Sequence, residues 1–387
     1  MRNLSIALLC ALLVTLSAPV RAAEPFNIDV ILSLTGYAGF IGAQHQLALK
    51  GLEEAVNRSG GIQGQPVHFA IVDDQSNPAT ATQLATQIIA KGAPIILGPS
   101  LTGDCEAVFP RILENGPLTY CFSPALYPSA GTYAFASGPS TRDLNVAAVR
   151  YFRLRGWNRV ALLTTTDASG QDGERQGLAA LALPENKSLQ LVANEHFAVA
   201  DLSIAAQVSR IAAAHPQAIL AWVTGTPTGT ALRGIHDNGL DVPVMLNAGD
   251  IVKKQIADYA SFVPSTLLFP GLLYMTPELA SPAVRATQTQ FVEAFSSQNA
   301  AATVPGAFGY EPARVAIEAF RHVGTKATAK QLRDYIETIK NFPSINGLMN
   351  FTDGSQRGSS VSGVVIVRWD NQSQTFVPVS KPGGEPR

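Results

Sequence analysis

The sequence predicts an α/β protein built as two doubly wound lobes. Three observations carry this. From residue 26 onward, short runs rich in Val, Ile and Leu alternate with longer helical patterns, as parallel strands buried on both faces require. The alternation restarts at RVALLTTT (159–166), so there are two such sets. The 387 residues exceed one ordinary core and suit two domains. The junction near GPSTRDLN (138–145) has no long linker, which favours lobes sharing a hinge over separate beads.

In the first set, FNIDVILSLTG is a strand, followed by a helix up to the Gly60-Gly61 stop. PVHFAIVDDQ is the next strand. Asn77-Pro78-Ala79 then opens a helix running to Ile89, because Pro in the first helical position gives up no hydrogen bond. PIILGPS is a third strand with a helix from Thr102, and LTYCFSP and TYAFASG follow. In the second set the strands are RVALLTTT, LQLVANEHFA, QAILAWVTG, VPVMLNAG and STLLFPG. Helices are predicted over 282–297, 305–323 and 329–340. The tail 348–379 reads as two or three strands with an Asp-Gly turn and an Asp-Asn turn. No sequence repeat at a fixed period and no low-complexity linker is present.

The opening MRNLSIALLCALLVTLSAPVRAAEP has the form of a secretory signal peptide, residues 1–22. Arg2 precedes an apolar run, and Val20 and Ala22 occupy the −3 and −1 positions of a cleavage after Ala22. The alternative is an uncleaved anchor, for which the run is short. No later segment offers the run of about 18 apolar residues a membrane helix needs, so a soluble exported chain is expected. Cys105 and Cys121 remain after cleavage. Outside the cytoplasm such a pair suggests a disulfide, stabilising by roughly 3 kcal/mol; two buried thiols are the alternative.

With 28 Lys+Arg against 29 Asp+Glu, nothing in the charge calls for nucleic acid or an anionic membrane as partner. No G-x-G-x-x-G, Walker-type or G-x-S-x-G motif is present. His45, His68, His196, His215, His236 and His322 lack ligand spacing and are expected to be surface or packing residues, so no metal and no cofactor is predicted. TTTDASGQDGE (164–174) fails as a calcium loop, because the sixth position from Asp167 is Asp172 and the twelfth is Leu178. A catalytic pair of Asp167 and Asp172 lacks any supporting nucleophile or metal, and no enzyme activity is predicted.

Ligands of open α/β sheets bind beyond the carboxyl ends of the strands. There the first set offers Leu34-Thr35-Gly36, Gly98-Pro99-Ser100-Leu101-Thr102 and Ser123-Pro124-Ala125-Leu126-Tyr127. The second offers Thr166 to Gln171, Val223-Thr224-Gly225-Thr226 and Asn247-Ala248-Gly249-Asp250. Small and hydroxyl residues at helix starts expose peptide N–H groups to a carboxylate, although each alone is as readily a helix cap.

The ordered motifs LSLTGYAGFIG, GGIQGQPV, DDQSNPATA and ILGPS, with GYEPARVAIEA and NFTDGSQ later, resemble the type I periplasmic solute-binding proteins of branched-chain amino-acid-type ABC transporters. The resemblance covers the mature chain. It implies two Rossmann-like lobes joined by three hinge crossovers, 23–138 plus 275–352 and 139–274 plus 353–387. It also implies a monomer in the periplasm that closes on a small molecule and delivers it to membrane permease subunits.

Carried onto this chain, the resemblance puts Thr102 on the ligand carboxylate with Ser100 and Leu101 beside it. Ala125, Leu126 and Tyr127 fall on the second loop of the first lobe. Ile41 stands where amino-acid binders often carry an aromatic lid, next to Phe40. From the second lobe come Ser169, Gln171 in place of a common Tyr, Gly225 and Thr226, and Ala248, Gly249 and Asp250. Ala248 replaces the usual acidic partner of the ligand ammonium, with Asp250 two residues on as a possible substitute. The second-loop hydroxyl becomes Tyr127. These departures suggest a carboxylate without an α-amino group, an aromatic or other organic acid, with Phe40, Tyr127 and Phe308 offering ring contacts. The alternatives are a true branched-chain amino acid binder, or a sensor reporting to a receptor or kinase. Asp167 and Asp172 are expected to set the turn and helix start.

Overall fold

The computed structural model describes residues 24–387; the signal peptide expected over 1–22 lies outside them. β1 (Phe26–Leu32), α1 (Gly39–Arg58), β2 (Val67–Asp73), α2 (Pro78–Ala90), β3 (Ile95–Leu97), α3 (Thr102–Val108), β4 (Leu118–Cys121) and β5 (Ala134–Ala136) form the first unit. Its strands are all parallel, in the order β2-β1-β3-β4-β5. The second unit runs from α4 (Thr141–Leu154) through β6 (Arg159–Thr165), α5 (Ala168–Leu181), β7 (Gln190–Phe197), α6 (Ala205–Ala213) and β8 (Ala218–Trp222). It continues with α7 (Pro227–Asp237), β9 (Val244–Met245), α8 (Lys253–Asp258) and β10 (Leu267–Leu272). Its parallel strands take the order β7-β6-β8-β9-β10, the same winding as the first sheet although no sequence repeat betrays it.

The chain then returns to the first unit. α9 (Pro282–Ser296) and α10 (Val304–Val323) pack on α1, and α11 (Ala329–Ile336) packs on α10. A hairpin of β11 (Lys340–Ser344) and β12 (Gly347–Asn350) follows. Finally β13 (Val364–Asp370) and β14 (Thr375–Pro378) extend the second sheet antiparallel beyond β10. The chain therefore passes between the sheets three times, after β5, β10 and β12.

Local chemistry accounts for these elements. Every residue of β3, β4, β5, β8 and β10 is buried, as strands covered on both faces demand. Asn77 caps α2 by accepting from Ala79 and Thr80 N–H, with Pro78 in the first turn. Ser140 and Asp143 form a reciprocal capping box that starts α4 directly after the first crossing. Gly138 has φ +60°, and a Cβ there would lie 2.1 Å from Phe308 Cε1, so the crossing needs glycine.

Arg357, on the third crossing, ties it to the first. Its buried guanidinium donates to the carbonyls of Ser137 (2.6 Å), Gly138 (3.1 Å), Pro124 (3.2 Å) and Leu126. Cys105 of α3 and Cys121 of β4 are paired, with Cα atoms 6.1 Å apart.

Two expectations need correction. The helix predicted over 329–340 stops at Ile336, and Lys340 opens β11. Asn341 at φ +55° and Pro343 do not fit a helix interior, and their side of the hairpin pairs with β12. The Asp353-Gly354 turn joins no two strands of one hairpin; β12 pairs backward to β11, and the tail hairpin turns at Asp370 to Thr375.

Candidate functional site: the cleft between the sheets

A cavity of about 320 Å³ lies where loops following β1, β3 and β4 meet loops following β6, β8 and β9. In each sheet it sits at the carboxyl end of the strands where the winding reverses, the place open α/β sheets bind ligands.

The first-sheet wall carries Ser100, Thr102 and Ser123. Thr102 Oγ1 lies 2.8 Å from Ser123 Oγ, and Ser123 Oγ also accepts the Ala125 N–H at 3.3 Å. The N-cap of α3 is Leu101, with no side-chain cap, so the Thr102 hydroxyl is not consumed by its helix. The Cys105–Cys121 link joins the two segments that carry this hydroxyl pair, three residues after Thr102 and two before Ser123.

From the second sheet come Asp167, Ala168 and Ser169, then Trp222 and Thr224, then Asn247, Ala248 and Gly249. Asp167 caps α5: its Oδ1 accepts from Gly170 N–H at 3.2 Å and Thr165 Oγ1 at 2.5 Å. Asn247 Nδ2 donates to Thr224 Oγ1 at 3.1 Å and to the Val223 carbonyl, which holds the Thr224 loop against the next. Tyr37, Ile41, Phe122, Trp222 and Phe308 make most of the wall apolar and aromatic.

The lobes touch around this cavity. A Cβ at Gly103 would stand 3.7 Å from Ala168 Cβ, and one at Gly225 would stand 2.7 Å from the Tyr37 carbonyl. Tyr127 Oη donates to Asp172 Oδ2 at 3.3 Å and accepts the Arg142 N–H at 3.2 Å.

No lysine or arginine lines the cavity among the described residues. Asp104, in the wall, has its pKa raised by burial and then by the charge of Asp74, whose own pKa burial also raises. Asp74 Oδ2 has no hydrogen-bond partner among the described residues. Burial, then the charges of Asp167, Asp104 and Asp74, raise the Tyr37 phenol. His45 is pushed down to about 3 by burial, against a smaller opposing influence of the Pro305 backbone, so it is neutral.

Of the residues read from sequence, Ile41, Ser100, Leu101 and Thr102 line the cavity, as do Ser169, Ala248, Gly249 and Phe308. Eight do not. Phe40 is half-buried against the Ala38–Ile41–Leu101 cluster, and the ring facing the cavity is Tyr37. Ala125 is turned inward by its N–H bond to Ser123, and Leu126 packs on the Cys105–Cys121 pair and Ala136. Tyr127 leaves the first lobe for Asp172. Gln171 is exposed and donates back to the Thr166 carbonyl at 2.8 Å. Gly225 serves a φ of +87° beside Tyr37, and Thr226 is exposed at the start of α7.

Asp250 is no substitute partner for an ammonium. It is fully buried, accepts from Thr228 Oγ1 at 2.8 Å and Gln255 Nε2 at 3.4 Å, and burial raises its pKa to about 8. Asp172 does not set the helix start either; it is buried inside α5, bonded to Arg175, Gln176 and Tyr127.

His45, expected as a surface or packing residue, lines the cavity. It lies four residues after Ile41 on α1, so the helical period alone would have placed it on the same face. Phe122 and Trp222 immediately follow or end strands, and that position was their signal.

The sequence matches the model of the Periplasmic binding protein family over residues 25–374. The chain belongs to that family. Among curated relatives, the Leu/Ile/Val-binding protein homolog 3 of Brucella melitensis is 30% identical over 116 residues, 30% of this chain and 32% of that protein. The chemotactic signal transduction system substrate-binding protein BasB of Halobacterium salinarum is 33% identical over 100 residues, 25% of this chain and 24% of BasB. These matches span a third or less of those relatives' length.

Whole-chain likeness comes from solved structures of periplasmic binding proteins. An extracellular ligand-binding receptor from Rhodopseudomonas palustris HaA2 superposes with a TM-score of 0.80 at 22% identity, covering 92% of this chain and 99% of that one. A leucine-binding protein LivK from Thermotoga maritima does so with a TM-score of 0.75 at 18% identity, covering 91% and 97%. At these identities the likeness is one of fold, the type I periplasmic binding protein fold.

Proposed function

We propose that the chain is the extracytoplasmic solute-binding component of an ABC importer, and that its lobes close on a small carboxylate lacking an α-amino group. The composition of the cavity wall carries this reading. Thr102 and Ser123 offer paired hydroxyls beside the first turn of α3, where peptide N–H groups favour an anion. An ammonium taken into such a cleft needs an acceptor, and the second-lobe loop offers Asn247, Ala248 and Gly249 instead of an acid. The rings of Tyr37, Phe122, Trp222 and Phe308 supply flat apolar surface suited to an aromatic or other organic acid. A ligand touching both walls favours the closed arrangement over an open one. Among the described residues no helix is long and apolar enough to cross a membrane.

A branched-chain amino acid is the second reading. Asp167 stands in the wall with one carboxylate oxygen free of any hydrogen bond among the described residues, an acceptor for an ammonium. The names of the Brucella and Thermotoga proteins point the same way. Titration calorimetry with leucine, isoleucine and valine beside benzoate and 4-methoxybenzoate separates the two. Tight leucine binding with no response to the acids sinks the first reading. The Halobacterium relative's role in chemotactic signalling marks sensing as another use of such a clamp. Uptake of the bound acid by cells with and without the gene separates import from sensing. N-terminal sequencing of the periplasmic form, expected to begin at Ala23, tests export.

A further inference from the structure

One first-lobe hydroxyl has both of its hydrogen-bond partners in the second lobe. Tyr127 stands on the loop after β4 and is 47% exposed. Arg357 fixes the root of that loop through the Pro124 and Leu126 carbonyls, and its guanidinium carbon lies 5.8 Å from the Tyr127 ring centre. The Tyr127 hydroxyl then reaches across. It donates to Asp172 Oδ2 of α5 at 3.3 Å and accepts the Arg142 N–H of α4 at 3.2 Å. α4 and α5 pack on each other, so both partners belong to one body.

Asp172 is oriented for this contact by its own helix. It is 1% exposed, and its Oδ1 accepts from Arg175 Nη2 at 2.6 Å and from Gln176 Nε2 at 3.2 Å. Oδ2 has no partner besides Tyr127 among the described residues. α3 of the first lobe faces the same stretch of α5. A Cβ at Gly103 would stand 3.7 Å from Ala168 Cβ. About one turn further along α3, burial raises the pKa of Glu106 and the Arg175 charge opposes it, so this carboxyl lies near the Asp172–Arg175 pair. Tyr127, Glu106, Arg142, Asp172 and Arg175 all stand outside the cavity wall.

We propose that Tyr127 is a positioning residue for closure: its hydroxyl latches the first lobe to Asp172 and the Arg142 N–H, and holds a share of the protein closed with no solute bound. A contact that never touches the solute favours closure equally for every solute. It acts on affinity by enlarging the fraction of protein that is competent to bind. The latch serves an organic acid and an amino acid alike, so its failure and that of the carboxylate reading are separate results.

Tyr127→Phe tests this, because it removes only the hydroxyl from a half-exposed ring. Spin labels on Gln83→Cys of α2 and Ala179→Cys of α5, both exposed positions, read the distance between the lobes in the solute-free mature protein. The labelled parent shows a closed and an open population. Tyr127→Phe lowers the closed-to-open ratio roughly three- to tenfold and leaves Tm unchanged. A parent that is wholly open, or a ratio that the substitution does not move, overturns the proposal. A large fall in Tm does so too, since the hydroxyl would then support the fold and not closure. Stopped-flow release of leucine, benzoate and 4-methoxybenzoate adds a second reading. Each of these that binds leaves the variant faster by the same factor, and a factor that differs between them makes Tyr127 a ligand contact and overturns the latch.

Discussion

Replacing Thr102 by Val keeps the volume of a side chain that is 3% exposed and removes only its hydroxyl. Without ligand, the Ser123 hydroxyl loses its 2.8 Å partner, which costs about 1 kcal/mol of stability. With ligand, the loss is a hydrogen bond to a carboxylate, about 1.5–3 kcal/mol, or roughly 10- to 150-fold in affinity. The helix itself is not at risk, because Leu101 and not Thr102 occupies the N-cap. Titration calorimetry with the tightest-binding acid, alongside thermal unfolding, reads both effects. Ser123→Ala and the double variant complete a cycle, and coupling between them is expected because the two hydroxyls share one proton path. A Thr102→Val protein that folds and binds within twofold of wild type would refute the carboxylate assignment at this pair.

Three further outcomes are expected. The oxidised mature protein shows no free thiol after unfolding, and Cys105→Ser with Cys121→Ser lowers stability by roughly 3 kcal/mol in denaturant titration while weakening binding, since the link positions both hydroxyls. In Gly173→Ala the new Cβ would start 2.1 Å from Trp222 Cγ, so the ring of this cavity-wall residue must move; about 1–3 kcal/mol of stability and much of the ligand affinity are lost. Asp250 is raised from 3.8 to about 8 by burial, so the native state holds more protons than the unfolded state between those values. Its stabilising contribution is full below the lower value and fades as pH climbs to the upper one. Wild-type Tm therefore falls relative to Asp250→Asn between pH 5 and pH 8, and parallel Tm curves would remove this role.

The parallel strands were legible because strands buried on both faces must be continuously apolar, and Asn77 announces a helix start by side-chain chemistry that acts over three residues; the order of strands in each sheet came only from the structure. The β11–β12 hairpin was harder to read, because its strand Lys340–Ser344 is partly exposed and carries no alternation; its one signal is the Asn346-Gly347 pair at the turn.

For the site, loops at strand ends were readable as places but not as directions. Tyr127 and Gln171 lie on the right loops, yet one is drawn to Asp172 across the lobes and the other back to the Thr166 carbonyl. Asp250 directly follows Gly249 of the cavity wall, and burial takes it out of contact.

Local periodicity and capping thus suffice to specify two βα sets and the loops at their strand ends, because each depends on neighbours within a few residues, whereas the three crossings were implied only by the family resemblance. Which side chain of a loop enters the cavity depends on partners far along the chain. Phe122 against His45, Arg357 holding Pro124 and Ser137, and Asp172 capturing Tyr127 exist only once the lobes are folded and brought together.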